Sequence, residues 1–271
     1  GQPGPETPLS STEPGGGMSP DVERILTKIK FGKPFRAHDV TIIHTLVDDT
    51  RVSFCVDMEN DPIQRNHRRG QFYEQKELKD LKRLFPEGGP FVDIGANVGN
   101  HSLYAALILQ AGKVIPVEPN LLAFRLLIHN VLINRLEHVF DLSKLGVGLS
   151  DKAEQGYAMQ KRERNLGGAK MLPGEGDLMV VPGDALLAGV TPDLIKIDVE
   201  GMEMMALAGL EDTISSHNPV LLVEVDNENE DAFFAWAEAH DYVIDKTVQR
   251  YRLNKNHLLI HKSQAGDVAA E

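Results

Sequence analysis

Residues 91–102 read FVDIGANVGNHS: a short apolar run, a glycine turn, and the start of a stretch with helical periodicity. No other feature of the chain restricts its fold as much. So short an apolar run, bounded by a glycine turn, reads as a strand buried on both faces. Gly95 and Gly99 let the backbone turn tightly, and Asn97 takes a left-handed conformation at modest cost. A buried strand feeding directly into a helix is the unit of a parallel sheet, and the chain repeats it. NHSLYAALILQAG reads as a helix closed by Gly112, KVIPVEPN as a strand, and LLAFRLLIHNVLINR as a helix. A third strand lies near Leu145–Leu149, a fourth in DLIKIDVEG and a fifth in PVLLVEVD. The last two are each followed by a helical stretch. YVIDKTVQRYRLNKNHLLIHK holds two runs parted by a turn near Asn254–Asn256 and reads as a terminal antiparallel pair. The expected fold class is α/β, a mostly parallel seven-stranded sheet with helices on both faces and a C-terminal antiparallel hairpin.

Ahead of that core, residues 18–90 read as a short helix, a strand hairpin (DVTIIHTLVDD and RVSFCVDM) and a lead-in helix, YEQKELKDLKRLF, ended by Pro86. Residues 1–17 hold Leu9 as their only large apolar residue, so they read as a disordered tag or linker before Met18. Residues 91–265 form the expected core and 266–271 a disordered tail. The single cysteine, Cys55, excludes an intrachain disulfide and reads as a small buried strand residue. A reducing, cytoplasmic home is the expectation. No apolar run is long enough to span a bilayer. A net charge of −12 counts against nucleic acid as a partner.

Asp93 stands two residues before the first glycine of the turn. A dinucleotide would place its pyrophosphate at the helix start, where Asp93 would repel it. The spacing is also Gly-x-Asn-x-Gly rather than G-x-G-x-x-G. A ligand with an ammonium near the strand end and a carboxylate near the helix suits both charges. The amino-acid end of S-adenosylmethionine has that pair and no phosphate. Glu118, nineteen residues after Gly99, can accept hydrogen bonds from ribose hydroxyls at the end of the next strand. Ser150 and Asp151 lie where the adenine amino group would reach, although Ser-Asp is also ordinary turn chemistry.

IKIDVEG and VEVDNEN set Lys196, Asp198, Glu200, Glu224 and Asp226 among apolar residues. Charges in that context are costly unless paired or functional. Three readings stay open: a general base for a hydroxyl, a divalent ion on Asp198, Asp226 and Asn227, and a Lys196–carboxylate network that fixes the strand ends. IQRNHRRGQ carries Arg65, His67, Arg68 and Arg69, either as a solvated loop or as a grip on an anionic acceptor. RERNLGGAKM has room to be a lid, with Asn165 and Gly167 as its candidates.

Together, DIGAN.G, the acid after the second strand and K.D.EG.E resemble the FkbM-type methyltransferases, a branch of the class I S-adenosylmethionine-dependent enzymes. The resemblance covers roughly residues 50–260. GQFYEQKEL is similar to the family's segment ahead of the first core strand, which lies over the cofactor and makes Tyr73 and Glu74 candidates. The resemblance implies a Rossmann-like class I methyltransferase fold and methyl transfer to a hydroxyl of a sugar, glycan or small natural product. It places Asp93, Gly95, Asn97, Gly99 and Glu118 at the cofactor, with Asp198 and Glu200 as the catalytic pair where cofactor and acceptor meet. Their neighbours Asn100, His101, Pro119 and Asn120 join the cofactor set. His101 departs from the pattern; it reads as a cap or a contact to the cofactor carboxylate, with a base as the alternative. The alternatives are a non-catalytic cofactor-binding protein, an NAD-linked oxidoreductase, and a methyltransferase acting on nitrogen or on a macromolecule.

Overall fold

The computed structural model describes residues 19–160, 166–174 and 176–268. The expected linker at 1–17, the candidate Asn165 and the last residues of the expected tail lie outside them. The chain begins with α1 (Pro20–Lys30) and the antiparallel pair β1 (Thr41–Val47) and β2 (Thr50–Val56). Asp48 and Asp49 join these two strands, both at positive φ, as a tight hairpin turn requires. Next come α2 (Pro62–Arg68) and α3 (Gln75–Lys79), the latter continued by a 3₁₀ turn at Asp80–Arg83. IQRNHRR is therefore a helix and not a loop. Asp61 caps it, accepting from the Ile63 and Gln64 N–H groups, and Pro62 takes the first helical position.

The core alternates β3 (Pro90–Ile94), α4 (Asn100–Leu107), β4 (Lys113–Val117) and α5 (Leu121–Ile133). There follow β5 (Val147–Ser150), β6 (Glu154–Met159), β7 (Met171–Leu172), β8 (Leu178–Pro182) and the short α6 (Gly183–Leu186). The second half runs β9 (Leu194–Ile197), α7 (Glu203–Gly209), α8 (Glu211–His217), β10 (Val220–Asp226) and α9 (Glu230–Ala239). It ends with β11 (Tyr242–Val248), β12 (Asn254–His261) and α10 (Lys262–Val268). The expected tail thus begins inside α10, which the Lys262 N–H anchors to the Asp241 carbonyl at 2.8 Å.

The main sheet is mixed and has six strands in the order β11-β12-β10-β9-β3-β4. β4, β3, β9 and β10 run parallel, while β12 is antiparallel to both of its neighbours. Seven strands in one ladder were expected; β5 instead opens a second sheet, β5-β8-β6-β7. The reason lies in Pro116. The outer edge of β4 bonds through Val114 and Glu118, and Pro116 between them has no N–H to donate. β5 is therefore not paired with β4, and the bridge from Glu118 to Leu145 joins the residue after β4 to the stretch ahead of β5.

Strand alternation divides the core between the two faces. Phe91 packs with Leu103, Tyr104, Phe124 and Leu127 from α4 and α5, while Val92 and Ile94 pack with Ile195, Val223 and Leu207 on the other face. α5 also holds the β1–β2 pair. Asn130 accepts the Cys55 N–H at 2.7 Å, and Asn134 bonds both the N–H and the carbonyl of Ser53. Cys55 is buried there, and burial pushes its thiol up to about 11.

Candidate active site

A cavity of about 510 Å³ opens at the carboxyl ends of β3, β4, β9 and β10, within the size range of small-molecule sites. Gly95, Ala96 and Asn97 of the glycine loop form its floor, while Gly99 does not line it and packs on Leu127. Gly95, Asn97 and Gly99 all have positive φ, at 78°, 54° and 94°. At Gly95 a Cβ would overlap the carbonyl oxygen of Asp198, so only glycine lets the two strand ends pass this closely. Glu118 fixes the loop from the side: its two oxygens accept the N–H groups of Asn97 and Asn120 at 2.8 and 2.9 Å. Burial nevertheless pushes Glu118 up to about 7. Asn97 Oδ1 is buried and has no partner among the described residues.

Asp93 does not line this cavity. The β3–β9 register sets it opposite Lys196, whose ammonium lies 3.0 Å from its carboxylate, and Ser102 Oγ donates to it at 2.6 Å. Lys196 also donates to the Gly95 carbonyl at 2.9 Å. Desolvation pulls Lys196 down, but the carboxylates of Asp93 and Asp198 outweigh it and hold its pKa above the usual value. The expected partner for a ligand ammonium is thus already neutralised behind the floor.

Adjacency of β9 and β10 brings the next acids together. Asp198, Glu200 and Glu224 each place one carboxylate oxygen within 4.8 Å of the others. Burial raises the pKa of Asp198, opposed by Lys196 and by a hydrogen bond from Glu224, while burial and the charges of Asp198 and Glu200 push Glu224 up to about 10. Glu200 sits at φ 44°, followed by Gly201 at 87°. The expected metal set of Asp198, Asp226 and Asn227 is not the one gathered. The Asp226 N–H is tied to Glu203, and Asn227 donates to the Arg252 carbonyl.

Tyr73 and Glu74 do lie on the cavity wall, as do Asn100, His101 and Pro119. Burial pulls His101 down to about 3, so it is neutral, and its Nε2 stands 3.7 Å from Glu74. Ser150, Asp151 and Asn120 do not reach the cavity. Ser150 Oγ donates to Asp151 instead, and Asn120 caps α5 through the Leu122 N–H. The third-strand wall is built by Gly148, Leu149, Met159 and Met171. Of the lid candidates, Gly167 lines the cavity. The Leu166 N–H beside it bonds to Asp61 Oδ2 at 3.0 Å. Arg65 and Arg68 on α2 and Arg69 at its C-cap are exposed and do not line the cavity, while His67 is buried against Phe54.

Sequence reasoning missed the loop between β11 and β12. Its Tyr251, Arg252 and Leu253 line the cavity mouth, and Tyr251 bonds phenol to phenol with Tyr73. Arg250 donates to Glu77 at 2.6 Å and approaches Glu74 at 3.7 Å. The run QRYRL, with an aromatic and two arginines in a hairpin turn, was the available signal.

The FkbM methyltransferase domain model matches residues 93–253. No curated protein matches the chain. Among solved structures, the FkbM methyltransferase of Methylobacillus flagellatus KT is 20% identical, with a TM-score of 0.45 over 64% of this chain and 44% of that one. The chain thus spans less than half the length of that protein. The B. subtilis M1A22 tRNA methyltransferase TrmK is 14% identical, with a TM-score of 0.47 over 70% of this chain and 68% of that one. M. capricolum TrmK, solved with S-adenosylhomocysteine, is 12% identical, with a TM-score of 0.44 over 69% and 67%. The domain match takes in more than half of the chain, including the glycine loop, Glu118 and the carboxylates of β9 and β10, and the chain belongs to the FkbM methyltransferase family.

Proposed function

We propose that the cavity binds S-adenosylmethionine and that the protein methylates a hydroxyl of a sugar, glycan or small natural product. The observation that carries this reading is the acidity of the wall. Glu74, Glu118, Asp198, Glu200, Glu224 and Asp226 line it, while the lysine at the strand ends is engaged with Asp93 and the Gly95 carbonyl. A pyrophosphate would meet acids that outnumber the lining cations Lys170, Lys196 and Arg252; a nucleoside cofactor without phosphate would not be repelled by them. The residues suit such a group. Each Glu118 oxygen has accepted one backbone N–H and keeps a lone pair for a ribose hydroxyl. Gly148, Leu149 and Met159 offer an apolar wall for a base.

The cofactor supplies an electrophilic methyl carbon on a sulfonium. The protein must hold the acceptor oxygen in line with it and take the hydroxyl proton. Asp198 suits the second task, with Lys196 favouring its ionised form and Glu224 sharing a hydrogen bond with it. Tyr73 and Tyr251 close the wall from two distant parts of the chain and limit water there. The net charge of −12 favours a small or neutral acceptor over RNA.

Calorimetry with S-adenosylmethionine, S-adenosylhomocysteine and NAD tests the cofactor, and only the first two should bind. Tritiated methyl donor offered with sugars, oligosaccharides, amines and RNA tests the acceptor. Binding of NAD alone, or label passing only to amines or RNA, overturns the reading. The carboxylate trio could instead hold a divalent ion, and loss of activity on chelation would point there.

A further inference from the structure

Asn100 is the first residue of α4 and is buried. Its side chain meets both polar groups of one residue across the cavity wall. Oδ1 accepts the Tyr73 N–H at 2.9 Å, and Nδ2 donates to the Tyr73 carbonyl at 2.9 Å. That reciprocal pair fixes the orientation of the amide. Oδ1 also lies 2.8 Å from His67 Nε2. His67 is fully buried and burial lowers it to about 4, so it is neutral, and Nε2 carries its proton. Its Nδ1, the acceptor in that tautomer, has no partner among the described residues.

The next residue is held in an unfavourable shape. Glu74 has φ 57° and ψ 35°, a left-handed conformation unfavourable for a residue other than glycine. Its carboxylate is 10% exposed, lines the cavity, and stands 3.7 Å from His101 on α4 and 3.7 Å from Arg250 on the β11–β12 loop. Strain of this kind persists where surrounding bonds over-determine it. Here those bonds come from Asn100, at the end of the glycine loop. Meanwhile Asp93, the acid of the loop's own strand, is spent on Lys196.

We propose that Asn100 is a positioning residue that clamps Tyr73 and so holds Glu74 over the glycine loop, and that Glu74, rather than Asp93, is the counter-ion for the ammonium of the cofactor's amino-acid end. This rests on the cofactor reading above. The groups facing Glu74 are His101 from α4, Arg250 from the hairpin loop, Lys196 and Asp198 from the end of β9, Glu224 from β10, and Glu77 from α3. Burial and repulsion by Asp198 push Glu74 up to about 7. An ammonium arriving beside it would favour the ionised form.

The test is calorimetry with two ligands, S-adenosylhomocysteine and methylthioadenosine, the second lacking the amino-acid end. Glu74→Gln should weaken S-adenosylhomocysteine by roughly 10- to 100-fold, the scale of a lost bond to a charged group, and leave methylthioadenosine within about twofold. Asn100→Ala should do the same alone. Added to Glu74→Gln it should cost less than about threefold more, because the carboxylate it positions is already gone. Should Asn100→Ala not fold, pH serves instead. Wild-type affinity for S-adenosylhomocysteine, relative to methylthioadenosine, should rise as pH climbs through about 7, and Glu74→Gln should abolish the rise. The ratio removes the contribution of Glu118, which both ligands share. Equal losses for both ligands, fully multiplicative effects, or a pH ratio unchanged by Glu74→Gln overturn the proposal. If neither ligand binds the wild type, the cofactor reading fails with it.

Discussion

Asp93 and Lys196 face each other across adjacent parallel strands, with carboxylate and ammonium 3.0 Å apart. Asp93 is sealed from water and the Lys196 side chain is 7% exposed. A pair this buried is dangerous to break and nearly neutral to replace as a unit. Lys196→Met leaves the Asp93 charge without its partner and removes the donor to Gly95. Urea unfolding should show a loss of about 3–5 kcal/mol. Adding Asp93→Asn should restore much of it, since an amide keeps a bond to Ser102 without the charge. A double variant as unstable as the single one would mean that the lysine acts through Gly95 instead.

Stability without cofactor should depend on pH in two opposing ways. Burial raises Glu74 and Glu118 to about 7, so between the ordinary glutamate range and that value the folded chain holds more protons than the unfolded one. Stability from these groups is lost as pH rises through about 7. His67 and His101 act oppositely: burial lowers them to about 4 and about 3, so their contribution is lost as pH falls below the usual value of 6.5. The melting temperature should therefore peak at about pH 5–5.5 and fall on either side, with changes of up to a few kcal/mol per group. Glu118→Gln should flatten the alkaline side. A protein more stable at about pH 8 than at about pH 6.5 would contradict this.

The glycine loop, Glu118 and the acids ending β9 and β10 were legible in the sequence because their signals are local: a strand, a turn and a charge at its end. Asp93 was misread because its partner, Lys196, is distant in sequence and is fixed only by strand register. Asn100 was read as a cofactor contact for a similar reason: nothing local shows that its amide meets Tyr73. The break between β4 and β5 was visible in principle, since Pro116 stands in the strand, but its consequence depends on which edge lacks the N–H. The helix α2 was hidden by its arginines, although Asp61-Pro62 is a cap followed by a first-turn proline.

Asp61 joins two parts of the cavity wall that are distant in sequence. It is fully buried, caps α2 through Oδ1 and holds the Leu166 N–H through Oδ2 at 3.0 Å. Asp61→Ala should cost about 1–3 kcal/mol through the lost cap and the N–H groups left unpaired. Asp61→Asn keeps an oxygen for the cap and loses the anchor of Leu166. Hydrogen exchange should then speed up at residues 166–172 with little change in global stability. Unchanged exchange there would show that other contacts hold this segment.

Asp198 is the sharpest test of the chemistry. Asp198→Asn keeps its shape and removes the charge. If Asp198 takes the hydroxyl proton, cofactor affinity should stay near wild type and kcat should fall by ~10²–10⁴-fold. The wild-type rate should fall as pH drops through the raised carboxyl pKa of Asp198, because only the ionised group accepts a proton. Glu224→Gln retains a donor to Asp198 and should cost less than about tenfold. A metal on the trio Asp198, Glu200 and Glu224 makes a different pattern. Glu224→Gln would then be as harmful as Asp198→Asn, and a chelator would abolish an activity that Mg²⁺ or Mn²⁺ restores. Asp226→Asn should be mild in either case, because Asp226 stands outside the trio with its backbone tied to Glu203. Wild-type turnover by Asp198→Asn on the true acceptor would exclude Asp198 as the base and leave Glu200 to carry the proton.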